Sequence, residues 1–383
     1  MNEALYPDSN GIIIIDTPRK TDSPQSFFPV VHSKATNAMA SMSGKSAEPN
    51  PLNDTASIIS NDVKIIMHGF SDLMGSLGLS THKLLSTGIA CFTAQNHTGS
   101  TIKDLRALRV TFSLKDYALR CGYDVEQHPT DSPEEAEKEA KRAKMALDNA
   151  RKKIKKDLEI LKQSSLSWKE KINGKTQDFI DVGVLGAYGI KGGYVYMEFT
   201  ATMGEYFIQL PLNQYPIALL GIDERKNNAY IIGLKMAEHS NLDNNIKANT
   251  AQLLRVKTLL DLTDLPDIKA VKKNRNSWED RIKEPLERCL DDLTNCGLLS
   301  DWYYSHSKGV ELTDEEASHF KDYEEWANTL IHFTLNNAID HTPRLEAKDK
   351  RREEAKERKQ KKRAKKGKTE SKPTDSPDKP EST

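Results

Sequence analysis

The sequence predicts an α+β protein with two similar units, preceded by a polar arm and followed by a basic tail. Helical periodicity gives way to alternating apolar residues, and this order occurs twice along the chain. Hydrophobic residues make up only 37% of the chain, which indicates that part of it does not pack into a core. We therefore predict an arm over 1–60, folded units over 61–222 and 223–343, and a tail over 344–383.

Residues 1–60 are rich in Ser, Asn, Asp and Pro. Only two short apolar runs, at 12–15 and 27–31, interrupt this polar composition. A segment with so little to bury is typical of a disordered arm. We predict that the arm is flexible.

The first unit opens with four predicted helices. Apolar residues recur at helical spacing from Ile66 to Leu77, which predicts a helix there. Further helices are predicted over 79–92, from the cap Ser80–Thr81, and over 113–122, which ends at Gly122. The sequence SPEE at 132–135 places a Ser cap, a Pro and two acids at the start of a fourth helix that runs to about 163.

Strands follow the fourth helix. Leu166, Trp168 and Ile172 lie two or four residues apart, and Ile180, Val182 and Val184 alternate after an Asn-Gly-Lys turn. Residues 194–199 form another run of this type. The first unit is predicted to end in a small β-sheet.

The second unit repeats this order. Helices are predicted over 224–239, 255–266 and 277–296, and strands over 299–306 and 329–335. A short helix, a longer helix and a β-hairpin in this order are typical of the winged helix-turn-helix. In that motif the second helix of the pair enters the major groove of DNA. The fold prediction is therefore tandem winged helix-turn-helix domains.

The formal net charge is zero, with 56 basic and 56 acidic residues, but the charge is sorted along the chain. Residues 345–372 hold fourteen basic and six acidic residues, and 141–156 hold eight basic residues and one acid. Zero net charge therefore does not exclude DNA as a partner. One hypothesis is that the tail anchors the protein on DNA without sequence preference.

The helix over 134–163 is amphipathic. Leu147, Ala150, Ile154, Leu158 and Leu161 share one face. The opposite face can neutralise phosphates, and its Asn and Arg side chains can reach base edges. A solvated amphipathic helix is the alternative interpretation. The candidate DNA-binding residues on this helix are Lys141, Arg142, Asn149, Lys152, Lys153 and Lys156.

The second unit is less basic. Residues 269–288 hold seven basic and four acidic residues. Pro285 lacks an N–H and is expected to start or kink the helix there. The candidates for phosphate contact are Lys272, Lys273, Arg275, Arg281 and Lys283.

The sequence favours a protein that is not an enzyme, with no cofactor or metal. GKS at 44–46 and GKT at 174–176 lack the upstream Gly of a phosphate-binding loop. Tyr303 and Tyr304 allow a remote alternative, a DNA-nicking enzyme with a tyrosine nucleophile. No apolar run is long enough for a membrane span and no secretory signal is present, which predicts a cytoplasmic protein.

The second unit, with AYIIGLKMAEH at 229–239, RVKTLLDLTDLP at 255–266 and SWEDRIKEPLERCLDDLTNCGLL at 277–299, resembles plasmid replication initiators of the type that binds iterons through two winged helices. The first unit resembles their N-terminal domain through LSTHKLLSTGIACF at 79–92 and SLKDYALRCG at 113–122. The resemblance covers about residues 62–335. It places Arg281, Lys283 and Arg288 nearest DNA.

The resemblance implies a replication initiator that binds repeated sequences of double-stranded DNA at a plasmid origin and promotes origin opening. It also implies a homodimer and a host helicase or initiator as partners. The acidic start of helix 134–163 and the basic tail depart from the family pattern. A transcriptional regulator with the same two winged helices is the alternative function.

Overall fold

Two of the sheets in this chain are built on the same plan, in a mixed α+β structure. The computed structural model describes residues 5–7, 13–15, 27–31, 33–42, 48–50, 52–60, 62–69, 78–96, 108–172, 174–210, 212–274, 277–307 and 309–336. The chain divides into Met1–Ala338 and Ile339–Thr383, and every described residue lies in the first of these units.

The strands of the described residues are β1 Leu5–Pro7, β2 Ile13–Ile15, β3 Phe27–Val31, β4 Glu48–Asn50, β5 Thr55–Ser60, β6 Val63–His68, β7 Arg109–Ser113, β8 Ser164–Ile172, β9 Lys175–Gly183, β10 Leu185–Lys191, β11 Tyr194–Phe199, β12 Leu212–Pro216, β13 Leu253–Arg255, β14 Leu299–Ser305 and β15 Leu330–Leu335. The α-helices are α1 Lys34–Met42, α2 Leu79–Asn96, α3 Leu114–Arg120, α4 Pro133–Gln163, α5 Ala201–Ile208, α6 Asn227–Asn241, α7 Asp243–Lys247, α8 Val256–Leu260, α9 Ile268–Lys273, α10 Glu284–Asn295, α11 Asp314–Ser318 and α12 Tyr323–Asn328. A 3₁₀ helix, Ile217–Gly221, precedes α6, and a π-helical turn, Glu279–Lys283, leads into α10.

These strands form four sheets. One has the order β1-β2-β7-β11-β10 and a second has the order β4-β5-β6-β8-β9. A third sheet has the order β13-β15-β14, and β3 pairs with β12 in the fourth. The strand triplets β7-β11-β10 and β13-β15-β14 are both antiparallel, and in each the last strand along the chain lies in the middle.

Two stretches of the chain share one order of elements, and we call them the first repeat (79–199) and the second repeat (227–335). Each contains, in this order, a helix, a short strand, a short helix, a third helix and two antiparallel strands. Strands β8 and β9 intervene between α4 and β10 in the first repeat, and α7, α9, α11 and α12 are additional elements of the second. The third helix of the first repeat is α4. The third helix of the second repeat is the π-helical turn together with α10.

The two repeats also share hydrogen-bond register. The last residue of the short strand pairs with the first residue of the central strand: Ser113 with Tyr194, and Arg255 with Leu330. In both, the next N–H of the chain donates to the carbonyl just before the central strand. Leu114 donates to Gly193 at 2.9 Å and Val256 donates to Thr329 at 3.0 Å. Corresponding backbone positions therefore make the same hydrogen bonds in the two repeats.

A bulge confirms the correspondence. The pairing of β10 with β11 shifts between Leu185 and Ala187, one residue into β10. The pairing of β14 with β15 shifts between Leu299 and Asp301, again one residue into the strand. A bulge places two residues opposite one and bends the strand, so its recurrence at the same position indicates a repeated structural unit.

The helix predictions after residue 78 are largely confirmed, but the predicted cap of α2 is wrong. The helix begins at Leu79, so Ser80 and Thr81 lie inside its first turn, where their hydroxyls donate to Asp157. The Ser113 side chain accepts a hydrogen bond from the Asp116 N–H at the start of α3, and Ser132 does the same for Glu135 at the start of α4. Pro133 occupies the first turn of α4, where its missing N–H costs nothing. Pro285 lies in the first turn of α10, directly after the π-helical turn, as expected of a residue that starts or kinks a helix.

Two further sequence predictions are wrong. The sequence predicts a helix from Ile66, but the first residues of that segment belong to strand β6. The buried residues Val63, Ile65 and Met67 of this strand alternate with period two. The rest of the predicted helix, 70–77, lies outside the described residues. The arm predicted to be flexible contributes β3, α1 and β5 to the structure. Phe28 and Met39 are fully buried, because β3 pairs with β12 and packs on α2.

Candidate nucleic-acid interface

Helix α4 is held in place by its apolar face. Ala150, Ile154, Leu158 and Leu161 are buried, as predicted, and Leu147 is half-buried. The helix packs against α2 and against strand β10 of the first repeat's sheet. This packing turns the opposite face of α4 to solvent.

The solvent face of α4 is strongly basic over 144–156, and we call it the basic face. Its Asn149 is exposed, and Asp148 is the one exposed acid in this stretch. The exposed cations of the basic face are Lys144, Arg151, Lys152, Lys155 and Lys156. The sequence candidates did not include Lys144, Arg151 and Lys155. A helical wheel drawn from the sequence does not show how much of the helix surface is exposed to solvent.

Of the six candidates on α4, Lys152, Lys156 and Asn149 lie on the basic face. Lys141 is exposed one turn earlier, where its ammonium lies 2.7 Å from the Glu137 carboxylate. An ion pair this exposed contributes little to stability, so Lys141 can exchange Glu137 for another anion.

Arg142 serves the chain's own structure. Its guanidinium donates to both carboxylate oxygens of Glu139, at 2.6 and 2.8 Å. It also donates to the carbonyl of Asp124 at 3.0 Å and to that of Glu126 at 2.7 Å. The hydrogen bond from Arg142 lowers the pKa of Glu139 to about 2. Arg142 therefore fastens the loop before α4 and is not presented for a DNA contact.

Lys153 is also engaged within the chain. Its ammonium lies 3.0 Å from the Glu224 carboxylate, which links α4 to the segment preceding α6. The side chain is half-buried, and the bond to Glu224 raises its pKa while burial lowers it. Lys153 therefore links α4 to the segment just before the second repeat and lies beside the basic face.

A buried carboxylate fixes the position of α4 against α2. Asp157 is almost fully buried, and it accepts hydrogen bonds from the hydroxyls of Ser80, at 3.0 Å, and Thr81, at 2.8 Å. Burial raises the pKa of Asp157 to about 6. The carboxylate meets the first turn of α2, where backbone N–H groups favour negative charge.

The hairpin β10–β11 lies next to α4. Its turn contains Gly192 and Gly193, with φ of 59° and 84°, a region that favours glycine. Lys191 precedes the turn and is exposed. The Lys162 ammonium donates to the Gly186 carbonyl at 2.7 Å and so ties α4 to β10. Lys191 is thus an exposed cation at the tip of the hairpin, and it was not among the sequence candidates.

The candidates in the second repeat are dispersed. Lys272 and Lys273 are exposed at the end of α9, and Arg281 is exposed in the π-helical turn. The Arg288 guanidinium lies 3.4 Å from the Glu284 carboxylate on the same helix. Arg275 lies outside the described residues. These cations do not form one continuous face comparable with that of α4.

Lys283 is largely buried. Its side chain is 14% exposed, and its ammonium donates to the Ala317 carbonyl at 3.2 Å. The ammonium also lies 5.3 Å from the centre of the Phe320 ring, within the range of a cation–π contact. Lys283 therefore holds a neighbouring segment and cannot reach a phosphate in this conformation.

That neighbouring segment is residues 306–329, which connect β14 to β15 and which we call the insertion. Its Trp326 is fully buried, lies 5.3 Å from Trp278 between ring centres, and donates its indole N–H to the Tyr304 hydroxyl at 2.9 Å. The insertion holds seven acidic and two basic residues, and the third helix of this repeat, 277–295, holds six acidic and three basic. The surface of the second repeat is therefore acidic where that of the first is basic.

The two tyrosines of the alternative nicking hypothesis pack within the second repeat. The Tyr304 side chain is buried and donates to Glu287 at 3.0 Å, and its pKa is raised by burial. The Tyr303 ring stacks on His332, with ring centres 4.6 Å apart. Among the described residues, no group of three His, Cys, Asp or Glu side chains could hold a metal ion.

Comparison with known proteins gives no relative: no protein-family model matches the chain, and no curated protein matches it. Among the described residues there is no helix with the length and apolar character needed to cross a membrane. The features that bear on function are therefore the two repeats and their surfaces.

Proposed function

We propose that this chain is a DNA-binding protein with two winged-helix units, and that it initiates plasmid replication by binding repeated origin sequences. The observation that carries the proposal is the repeat itself. Strand, helix, third helix and hairpin recur with matching registers and a matching bulge. This order is that of a winged helix-turn-helix, in which the third helix enters the major groove.

The basic face of α4 is the proposed DNA contact of the first repeat. Five exposed cations lie on it, with only Asp148 among them. Each phosphate neutralised by such a side chain releases counterions from DNA, which favours binding. Lys191 at the hairpin tip is the proposed contact to the phosphate backbone beside the groove, and Asn149 is the proposed contact to a base edge.

The function as an initiator, rather than a regulator, rests on the resemblance described above. Initiators of this type are not catalysts, and they work by loading an array of copies on direct repeats. The homodimer and the contact with a host helicase or initiator belong to the same proposal. Tandem repeats beside an AT-rich stretch next to the gene would support an origin, and a single inverted repeat would support a regulator.

The test is a binding titration of the full chain against a probe with the direct repeats and a random probe, from 0.05 to 0.3 M salt. We expect tight binding to the repeats and a log–log salt slope of about −0.9 per neutralised phosphate. The triple variant Lys152→Gln, Lys155→Gln, Lys156→Gln should lose about 100-fold in affinity at 0.15 M salt, because three counterion-releasing contacts are removed.

The matched control is Lys272→Gln with Lys273→Gln, which removes two exposed cations of the second repeat. We expect a much smaller loss from this pair, because no continuous basic face surrounds them. Equal binding to repeat and random probes at every salt concentration would overturn sequence-specific recognition. Unchanged affinity in the α4 triple variant would overturn the assignment of the contact surface.

A further inference from the structure

A cavity of about 340 Å³ lies where the two repeats meet. Helix α2 of the first repeat forms one wall and α6 of the second repeat forms another, and β3, α1 and β12 complete the lining. Its volume corresponds to on the order of ten water molecules at liquid density. This is within the size range of small-ligand sites in proteins.

Much of the cavity wall is apolar. Val31, Ile89 and Ile231 are buried, and Leu234 and Leu262 contribute half-buried side chains. These residues come from separate elements, so their apolar surfaces converge only in the folded chain. An apolar wall of this kind favours an aliphatic or aromatic ligand body over water.

The polar floor of the cavity has its hydrogen bonds satisfied. Burial lowers the pKa of His82 to about 4, so the ring is neutral at neutral pH. Its Nδ1 lies 2.7 Å from the Tyr230 hydroxyl and its Nε2 lies 3.1 Å from the Thr36 carbonyl. Nε2 must carry the proton to donate to Thr36, so Nδ1 accepts from Tyr230, whose oxygen accepts from Tyr215 at 2.9 Å. The floor therefore offers no unmet donor to a ligand.

Charged groups line the cavity as well. The Lys34 ammonium donates to the Lys169 carbonyl at a long 3.4 Å and lies 3.8 Å from the Asp62 carboxylate. The Lys235 ammonium lies 3.1 Å from the Glu238 carboxylate. The Lys235–Glu238 pair is neutral as a whole. The Asp62 side chain is 89% exposed, so its pairing with the Lys34 ammonium is weak, and the carboxylate of a ligand can replace it.

We infer that this cavity binds an aliphatic monocarboxylate, with its chain against the apolar wall and its carboxylate at Lys34. The ligand would contact α2 and α6 together, so it would stabilise one arrangement of the two repeats. This site is separate from the basic face of α4, and its test requires no DNA.

The probe is decanoate, titrated calorimetrically into the full chain below its micelle concentration, with decanol and decylamine as matched ligands. We expect one-to-one binding of decanoate, about fivefold weaker binding of decanol, and weaker binding still of decylamine. Equal affinity for decanol and decanoate would overturn the assignment of an anionic ligand. No binding of any of the three would overturn the site.

Two variants locate the binding. Leu234→Trp fills the cavity and should abolish binding, whereas Leu242→Trp, at the end of the same helix and 45% exposed, should leave it unchanged. Lys34→Gln should weaken decanoate about fivefold and leave decanol unchanged. Because Lys34 is partly exposed, this variant reports on the site even if Leu234→Trp fails to fold. Decanoate binding that survives both variants would overturn the proposal.

Discussion

The two repeats have the same backbone plan and opposite surfaces. In the first, an uninterrupted α4 presents five exposed cations, and the hairpin turns through Gly192 and Gly193. In the second, the third helix is acidic, and the hairpin turn is replaced by the insertion, which packs on that helix. Register and bulges are conserved between the repeats while surface charge is not. The backbone plan alone therefore does not distinguish the repeat that we propose to contact DNA from the other repeat.

The difference begins at the hairpin. The hairpin of the first repeat closes through a two-glycine turn, with Lys191 exposed just before it. In the second repeat the insertion takes the place of that turn, and its Ala317 and Phe320 engage Lys283. If the first repeat contacts DNA as we propose, the second would serve mainly as structural support or as a surface for other partners.

The largest expected effect tests whether the insertion is part of the core. Trp326→Ala removes a fully buried indole, and we expect the free energy of unfolding to fall by about 3–5 kcal/mol. Urea unfolding measures it, with Trp302→Ala as the control. Trp302 is half-buried, so its replacement should lower the free energy of unfolding by less. DNA affinity in native buffer should be unchanged, and a rise in affinity would mean that the insertion masks a second DNA-binding surface.

The next effect concerns the anchoring of α4. Because the pKa of Asp157 is raised from 3.8 to about 6 in the folded chain, the folded chain binds this proton more tightly than the unfolded chain. Its contribution to stability is complete below pH 3.8 and is lost as pH rises through 6, a loss of about 3 kcal/mol. Asp157→Asn keeps an acceptor for Ser80 and Thr81 and removes the ionisation.

We therefore expect the unfolding free energy of Asp157→Asn, relative to the natural chain, to increase by about 2 kcal/mol between pH 4 and pH 7. Urea unfolding at several pH values measures this difference. Asp148→Asn is the control, because Asp148 is exposed on the same helix and should show no such trend. A difference that stays constant with pH would show that Asp157 does not titrate in this range.

The smallest effect compares one lysine from each repeat. Lys156→Gln should lower DNA affinity about fivefold at 0.15 M salt and reduce the salt slope by about 0.9, because one phosphate contact is lost. Lys283→Gln should change neither quantity, because its ammonium is held by Ala317. Fluorescence anisotropy with the repeat probe measures both. Equal losses from the two variants would mean that the insertion moves aside and both repeats contact DNA.

Much of the helical structure could be predicted from local chemistry. Ser132 caps α4 as its sequence context predicts, and the apolar face of α4 is the face that packs. These features depend on residues within a few positions of one another. The wrong predictions fell on segments that pair with distant strands: β3 pairs with β12, and β6 pairs with β8 as well as with the adjacent β5.

The candidate site likewise has a part that the sequence predicts and a part that only the fold shows. Counting charges located the basic helix, but it treated Arg142, Lys153 and Lys283 as equivalent to Lys152 and Lys156. Only the fold shows that the first three are used by Asp124, Glu224 and Ala317. A charge count cannot distinguish a cation that holds a loop from one that faces solvent, because the anion or carbonyl it meets is distant in sequence.

By itself, the sequence determined the α+β composition, the approximate positions of the main helices after residue 78, and the separation of basic and acidic stretches. The tertiary structure decided that the two halves are repeats with one register, that the arm belongs to the core, and which cations face solvent. The reason is physical. Caps and periodicity act over one or two turns, whereas strand pairing and side-chain burial depend on contacts that exist only once the chain has folded.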